Sequence, residues 1–225
     1  MDGMEQALAE ARKALAEDLA RRMMAQLKDL GMEKTVFQVA FLPQEGEKKP
    51  MPRMVGDDQV EFMISPNPGE PLKPLAKIAS GGELSRIMLA MKALETEGSG
   101  VDCMVFDEID TGISGRMAQV VAEKMMAIAR KKQVICVTHL PQIAAMADHR
   151  LLVEKQVETV GGAERTLTRV SALTGEAGTA EVARMLGGAE GSGGSALTHA
   201  AHMIEAAGAF KREMNLERKG EVHDP

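Results

Sequence analysis

Four apolar residues, Cys103-Met104-Val105-Phe106, run directly into two adjacent carboxylates, Asp107 and Glu108. Carboxylates placed straight behind an apolar run are costly to desolvate, so the pair has either a cationic task or a wet position. The carboxyl end of a parallel strand meets both conditions, because α/β proteins bind ligands there. One carboxylate can then hold Mg²⁺ or its water shell, while its neighbour orients or deprotonates an attacking water. The plain alternative is a pair of acids capping the helix that follows.

Three further stretches carry chemistry by type and spacing. Ser80-Gly81-Gly82-Glu83 stands at a helix start, where unpaired backbone N–H groups and the helix dipole attract phosphate and glycines admit close approach. Its plain reading is a Ser N-cap, with Glu83 completing a capping box. Val137-Thr138-His139 ends a strand, and a neutral imidazole there can hydrogen-bond a phosphate or a water; a structural histidine is the alternative. Ile109-Asp110-Thr111-Gly112-Ile113-Ser114-Gly115 follows the two acids, either as a functional loop or as a simple turn into a helix.

The elements that must position these residues follow from periodicity. Leu8, Ala11, Leu15, Leu19, Met23, Leu27 and Leu30 recur at helical spacing over residues 4–30, with Gly31 as the stop; the pattern suits a surface helix or the last heptads of a coiled coil. Strands are expected at 35–42 and 60–65, paired like a hairpin around the polar loop 43–58, with a rigid turn at Pro66–Pro71. Gly81-Gly82 opens a helix through Leu94, and Gly98-Ser99-Gly100 ends it. Buried parallel strands at 101–106 and 133–138, joined by a helix at 117–129, make a βαβ unit. Beyond lie a helix at 141–146, strands at 151–155 and 166–170 across Gly161-Gly162, a helix at 176–186, a glycine joint at 191–194 and a helix at 196–217.

Composition removes several function classes. The net charge is −6, from 27 Lys+Arg against 33 Asp+Glu, which argues against affinity gained by coating DNA phosphates. Five Phe with no Trp or Tyr leave few stacking platforms for single strands. Arg130-Lys131-Lys132 and Lys211-Arg212 read as solvated helix ends or faces. The 18 Met suit flexible core filling. Cys103 and Cys136 sit in apolar runs without ligand spacing and are expected as buried reduced thiols. No apolar run reaches membrane-spanning length and no secretory pattern opens the chain, so a cytoplasmic setting is expected, without a membrane partner.

The order of these stretches narrows the choice. Ser80 precedes Asp107 by 27 residues, and His139 follows Glu108 by 31. Together they resemble the ABC-type ATPase pattern of signature motif, Walker B, D-loop and switch histidine. The longer segments 66–86, 105–115 and 138–148 are similar to the carboxy-terminal part of the bacterial RecN family of SMC-like DNA repair ATPases. The resemblance implies an α/β fold: the carboxy-terminal lobe of an ABC-type head over 32–190, preceded by the end of a coiled-coil helix at 1–31 and followed by a helix and tail at 191–225.

It also implies roles. Asp107 would ligand Mg²⁺, Glu108 would polarise the water attacking the γ-phosphate of ATP, and His139 would contact that phosphate. Ser80, Gly81, Gly82 and Glu83 would bind ATP held by an opposing head, and Asp110, Thr111 and Gly112 would couple the two sites. The implied partners are an amino-terminal lobe carrying the Walker A loop, a second head in a homodimer, and DNA through the complete protein at the nucleoid. A phosphate-cradling GxxxxGK[ST] loop does not occur in these residues, so the chain alone is expected to be inactive, with Val134–Val137 at an unpartnered sheet edge. The competing readings are a head lobe of another chromosome-organising SMC ATPase and a non-catalytic interaction module.

Overall fold

The computed structural model describes residues 2–42, 58–78, 80–95, 101–160, 163–187 and 193–221. Residues 43–57 of the expected loop at 43–58, the helix stop at Gly98–Gly100, the Gly161-Gly162 link and the start of the glycine joint at Gly191 lie outside the described residues. In chain order the elements begin with helix α1 (Asp2–Asp29), strands β1 (Val36–Leu42), β2 (Gln59–Ser65) and β3 (Lys73–Pro74), and helix α2 (Gly81–Leu94). Strand β4 (Cys103–Phe106), helix α3 (Gly115–Ala129), strand β5 (Gln133–Cys136) and helix α4 (Pro141–Met146) follow. Strands β6 (Arg150–Val160) and β7 (Ala163–Leu173) and helices α5 (Gly175–Met185) and α6 (Gly193–Glu221) complete the chain. Two compact units result, one of residues 1–113 with 127–137 and one of 114–126 with 138–225.

In the first unit, α1 packs by its carboxyl end. Met23, Leu27 and Leu30 are fully buried, whereas Met4 and Leu15 are 79 % and 68 % exposed. Gly31, at φ 75°, ends the helix, and the Met32 amide returns to the Leu27 carbonyl at 2.9 Å. Strands β1, β2 and β3 form an antiparallel sheet in which Phe37 pairs with Ile64, both buried. The Phe37 and Phe62 rings lie 5.6 Å apart, adding an aromatic contact to the apolar face. The expected 35–42 and 60–65 pairing is thus present. The turn after β2 is held by Ser65, whose hydroxyl donates to the carbonyls of Asn67 and Glu70 at 3.0 and 2.9 Å.

Strands β4 and β5 pair in parallel from Cys103 opposite Gln133 to Phe106 opposite Cys136. Bonds from the Gln133 amide to the Asp102 carbonyl and from the Val137 amide to the Phe106 carbonyl extend the pairing at both ends. The α/β class and the strand–helix–strand order with parallel pairing match the expectation. The expected burial of both strand faces does not hold. Met104 and Phe106 are buried, but Val105 is 67 % exposed, Val137 59 % and Ile135 44 %. A parallel strand becomes apolar on both faces when layers cover both; among the described residues this sheet has two strands and one face of it meets solvent. The expectation of buried thiols fails for the same reason: Cys103 is exposed and Cys136 half-buried.

The second unit is built around α4, α5, α6 and the β6–β7 hairpin. Ala145, Val182, Ala183 and Ala200 form its small-residue core, with Leu186, Met203 and Ile204 packed against them. Arg150 donates from Nε to the Ala144 carbonyl and from Nη2 to the Ala145 carbonyl, at 2.7 and 2.8 Å, closing the end of α4. The hairpin is longer than its apolar segments suggest, pairing continuously from Arg150–Leu173 to Val160–Ala163. Its ladder runs through the charged stretch Glu154–Glu158, where Arg169 meets Glu158 at 2.8 Å across the strands. Helix α6 starts at Gly193, before the expected Ala196.

Candidate active site

The amino end of α2 faces the turn that follows β4. Ser80 is the N-cap: its backbone is extended and its hydroxyl accepts from the Glu83 amide at 3.4 Å, as the capping reading requires. Three residues on one face of α2 then hold the turn. Ser85 Oγ donates to the Asp107 carbonyl at 2.7 Å. Arg86 Nη1 donates to the carbonyls of Thr111 at 2.9 Å and Ile109 at 3.5 Å. Gly82 presses so closely that a Cβ there would lie 3.0 Å from the Thr111 Cβ, 3.0 Å from the Thr111 carbonyl oxygen and 3.1 Å from that of Glu108. Alternate carbonyls at 107, 109 and 111 are therefore bonded by a single helix face.

The turn is tight. The Thr111 amide bonds the Glu108 carbonyl at 3.1 Å, the Ile113 amide that of Asp110 at 3.5 Å, and Gly112 takes φ 73°. Glu108 itself has φ 56°, the left-handed region that a side chain other than Asn or Asp seldom occupies. This backbone aims the Glu108 carboxylate at the start of α2: a Cβ on Gly81 would fall 2.0 Å from its Oε2. Positive helix-end charge favours a carboxylate there. The Asp107 side chain is exposed and its Oδ1 accepts from the Glu108 amide at 2.9 Å. Asp110 is buried, 4 % exposed. Burial, with the negative charges of Asp110 and Asp107, pushes the Cys136 thiol up to about 12.

Ser80, Gly81, Gly82, Glu83, Asp107, Glu108, Asp110, Thr111 and Gly112 thus all belong to the first unit, gathered around one helix end and one turn. His139 belongs to the second unit. It is exposed, between Thr138 and Leu140, where the Leu140 amide donates to Thr138 Oγ1 at 3.0 Å. No cluster of three His, Cys, Asp or Glu fit to hold a metal occurs among the described residues. Asp107 offers a single exposed carboxylate, the kind of site at which Mg²⁺ completes its shell with phosphates and water.

Sequence reasoning missed Ser85 and Arg86. The signal was present: Arg86 lies four residues after Gly82 and three and four before Leu89 and Ala90, so a cation falls on the buried stripe of α2.

No protein-family profile matches the chain. Relatives do. The DNA repair protein RecN of Halalkalibacterium halodurans is 51 % identical over 184 residues, covering 82 % of this chain and 32 % of that protein. RecN of Bacillus subtilis is 42 % identical over 193 residues, 81 % of this chain and 33 % of its own length. RecN of Treponema pallidum is 42 % identical over 219 residues, 97 % of this chain and 36 % of its own. The chain therefore spans about a third of the length of the relatives it matches. Among solved structures, an Smc head domain with a coiled coil and joint from Pyrococcus yayanosii superposes with a TM-score of 0.49 at 17 % identity, over 81 % of this chain and 32 % of that one. Among the described residues no helix is long and apolar enough to cross a membrane.

Proposed function

We propose that this chain, related to the RecN DNA repair proteins through four-fifths or more of its length, supplies half of an ATP-hydrolysing site in an SMC-like protein of DNA double-strand-break and recombinational repair. The observation that carries the reading is the Glu108 carboxylate set against Gly81 by a left-handed backbone, at the turn that α2 grips. The positive φ at Glu108 sets its carboxylate beside the start of α2, at the carboxyl end of a parallel strand, where an acid can act on a bound water.

In this reading Glu108 orients the water that attacks the γ-phosphate, and His139 contacts that phosphate. Asp107 would hold Mg²⁺, which when bound offsets charge on the phosphates. Ser80, Gly81 and Gly82, with Glu83 behind them, present the amino end of α2 to ATP held by an opposing head. The Ser80 hydroxyl accepts one bond from the Glu83 amide and keeps its own proton to donate. Asp110, Thr111 and Gly112 join the two events, since the same turn carries Glu108 and lies on Gly82. A lobe with a lysine-containing phosphate loop completes the site, and a second head and DNA are the partners of the complete protein, at the nucleoid. Residues 1–31 act as the returning end of a coiled coil, 32–190 as the carboxy-terminal lobe of the head and 191–225 as a terminal helix and tail. The chain alone binds ATP weakly and does not hydrolyse it.

The test is Glu108→Gln in the chain completed by a phosphate-loop lobe. ATP-bound dimers should accumulate and be detected by size-exclusion chromatography with light scattering; turnover at the unsubstituted rate would remove Glu108 from the chemistry. Steady-state hydrolysis by the 225-residue chain alone, abolished by Asp107→Ala, would contradict the half-site.

A further inference from the structure

Among the described residues, Arg86 is a buried cation without a carboxylate bonded to it. It is 8 % exposed, its Nη1 is spent on the carbonyls of Thr111 and Ile109, and its Nε has no hydrogen-bond partner among the described residues. Burial lowers its basicity, offset in part by the charge of Glu83 one turn earlier on α2. Burying the guanidinium carries a desolvation cost, which its bonds to the Thr111 and Ile109 carbonyls offset in part. What the guanidinium adds is direction: it fixes two carbonyls that flank Asp110, within three residues of Glu108, on the helix whose amino end carries Ser80 and Gly81.

We propose that Arg86 is a positioning residue for hydrolysis, transmitting displacement of helix α2 to the 107–112 turn and so setting where the Glu108 carboxylate stands. The inference rests on the hydrolytic reading above. A ligand that draws the amino end of α2 moves Arg86, Ser85 and Gly82 with it as one rigid face. The carbonyls of residues 107, 108, 109 and 111, bonded or packed there, follow, and the Glu108 carboxylate changes its place.

Two arms test this. In the chain completed by a phosphate-loop lobe, Arg86→Met should lower kcat about 10- to 100-fold, as small displacements of catalytic groups do, while KM for ATP stays within about twofold, because Arg86 is buried against the turn. Arg86→Lys keeps a cationic donor group without the planar fork and should recover part of the loss. In the 225-residue chain without nucleotide, hydrogen exchange of the Thr111 amide should quicken in Arg86→Met while the β1–β2 amides keep their protection. Wild-type turnover by Arg86→Met, or quickened exchange spread equally over β1 and β2, overturns the proposal; the second outcome marks a residue that merely holds the fold. The exchange arm needs no ATP. A Glu108→Gln protein with normal turnover therefore sinks the hydrolytic reading, while the Thr111 amide still decides whether Arg86 holds the turn.

Discussion

Two neighbouring glycines at the start of α2 should respond unequally to alanine, and the geometry gives the size of the difference. At Gly82 the new methyl group would meet the Thr111 Cβ at 3.0 Å and the carbonyl oxygens of Thr111 and Glu108 at 3.0 and 3.1 Å. Neither oxygen is free to yield: one is held by Arg86 at 2.9 Å and the other by the Thr111 amide at 3.1 Å. Overpacking of this kind costs about 1–3 kcal/mol, and the smaller entropy of an unfolded alanine returns about 0.5–1 kcal/mol, leaving a net loss of about 0.5–2 kcal/mol. At Gly81 the contact is 2.0 Å, nominally worse, but its partner is the Glu108 carboxylate tip, which can rotate aside. Gly81→Ala should therefore stay within about 0.5 kcal/mol of the parent. For a chain of this size the melting temperature moves roughly 2–4 °C per kcal/mol, so Gly82→Ala should melt up to about 8 °C lower and Gly81→Ala within about 2 °C of the parent. Thermal unfolding followed by circular dichroism reads both. Equal melting of the two variants, or the greater loss at Gly81, would refute the claim that backbone at Gly82 and side chain at Gly81 set the two contacts. Since Gly81→Ala preserves the fold yet evicts the Glu108 carboxylate, it should also reduce ATP turnover in the completed protein.

The thiols should separate by reactivity: at pH 8, N-ethylmaleimide should label exposed Cys103 about tenfold or more faster than Cys136, read by peptide mass spectrometry. Because the folded Cys136 thiol titrates near 12, above its unfolded value, its contribution to stability is full below about pH 8.5 and is lost as pH rises toward 12; Cys136→Ala should flatten the fall in denaturation midpoint over that window. Arg150→Met should destabilise the second unit by about 1–3 kcal/mol, since the Ala144 and Ala145 carbonyls lose their donor; an unchanged urea midpoint would show that water replaces it. Lys211→Ala should shift the same midpoint by less than about 1 kcal/mol, because its partner Asp148, although 2.6 Å away, is 59 % exposed.

The path from sequence to site was legible where local chemistry and long-range contact agree. Ser80 caps α2 as its type and the following glycines suggest, and the carboxylates stand at the end of a strand that pairs in parallel with 133–136. It was less legible where a side chain's environment depends on distant chain. The apolar run 103–106 reads as buried on both faces, yet Val105 is exposed, because covering a strand's second face requires another layer that no local pattern reports. Strands β6 and β7 extend beyond 151–155 and 166–170 because opposite-charge cross-strand pairs, Glu158 with Arg165 and Glu154 with Arg169, carry the ladder through polar sequence. The aim of Glu108 toward Gly81 arises from a positive φ that a glutamate does not advertise.

Under the proposed role of Glu108, its positive φ sets thermostability and turnover against each other. Glycine or asparagine would relax the backbone at this position, so a screen for heat resistance alone should drift toward replacing the acid and arrive at a hardier protein that no longer turns over. If the proposed role of Glu108 holds, selection that retains glutamate here is selection for chemistry.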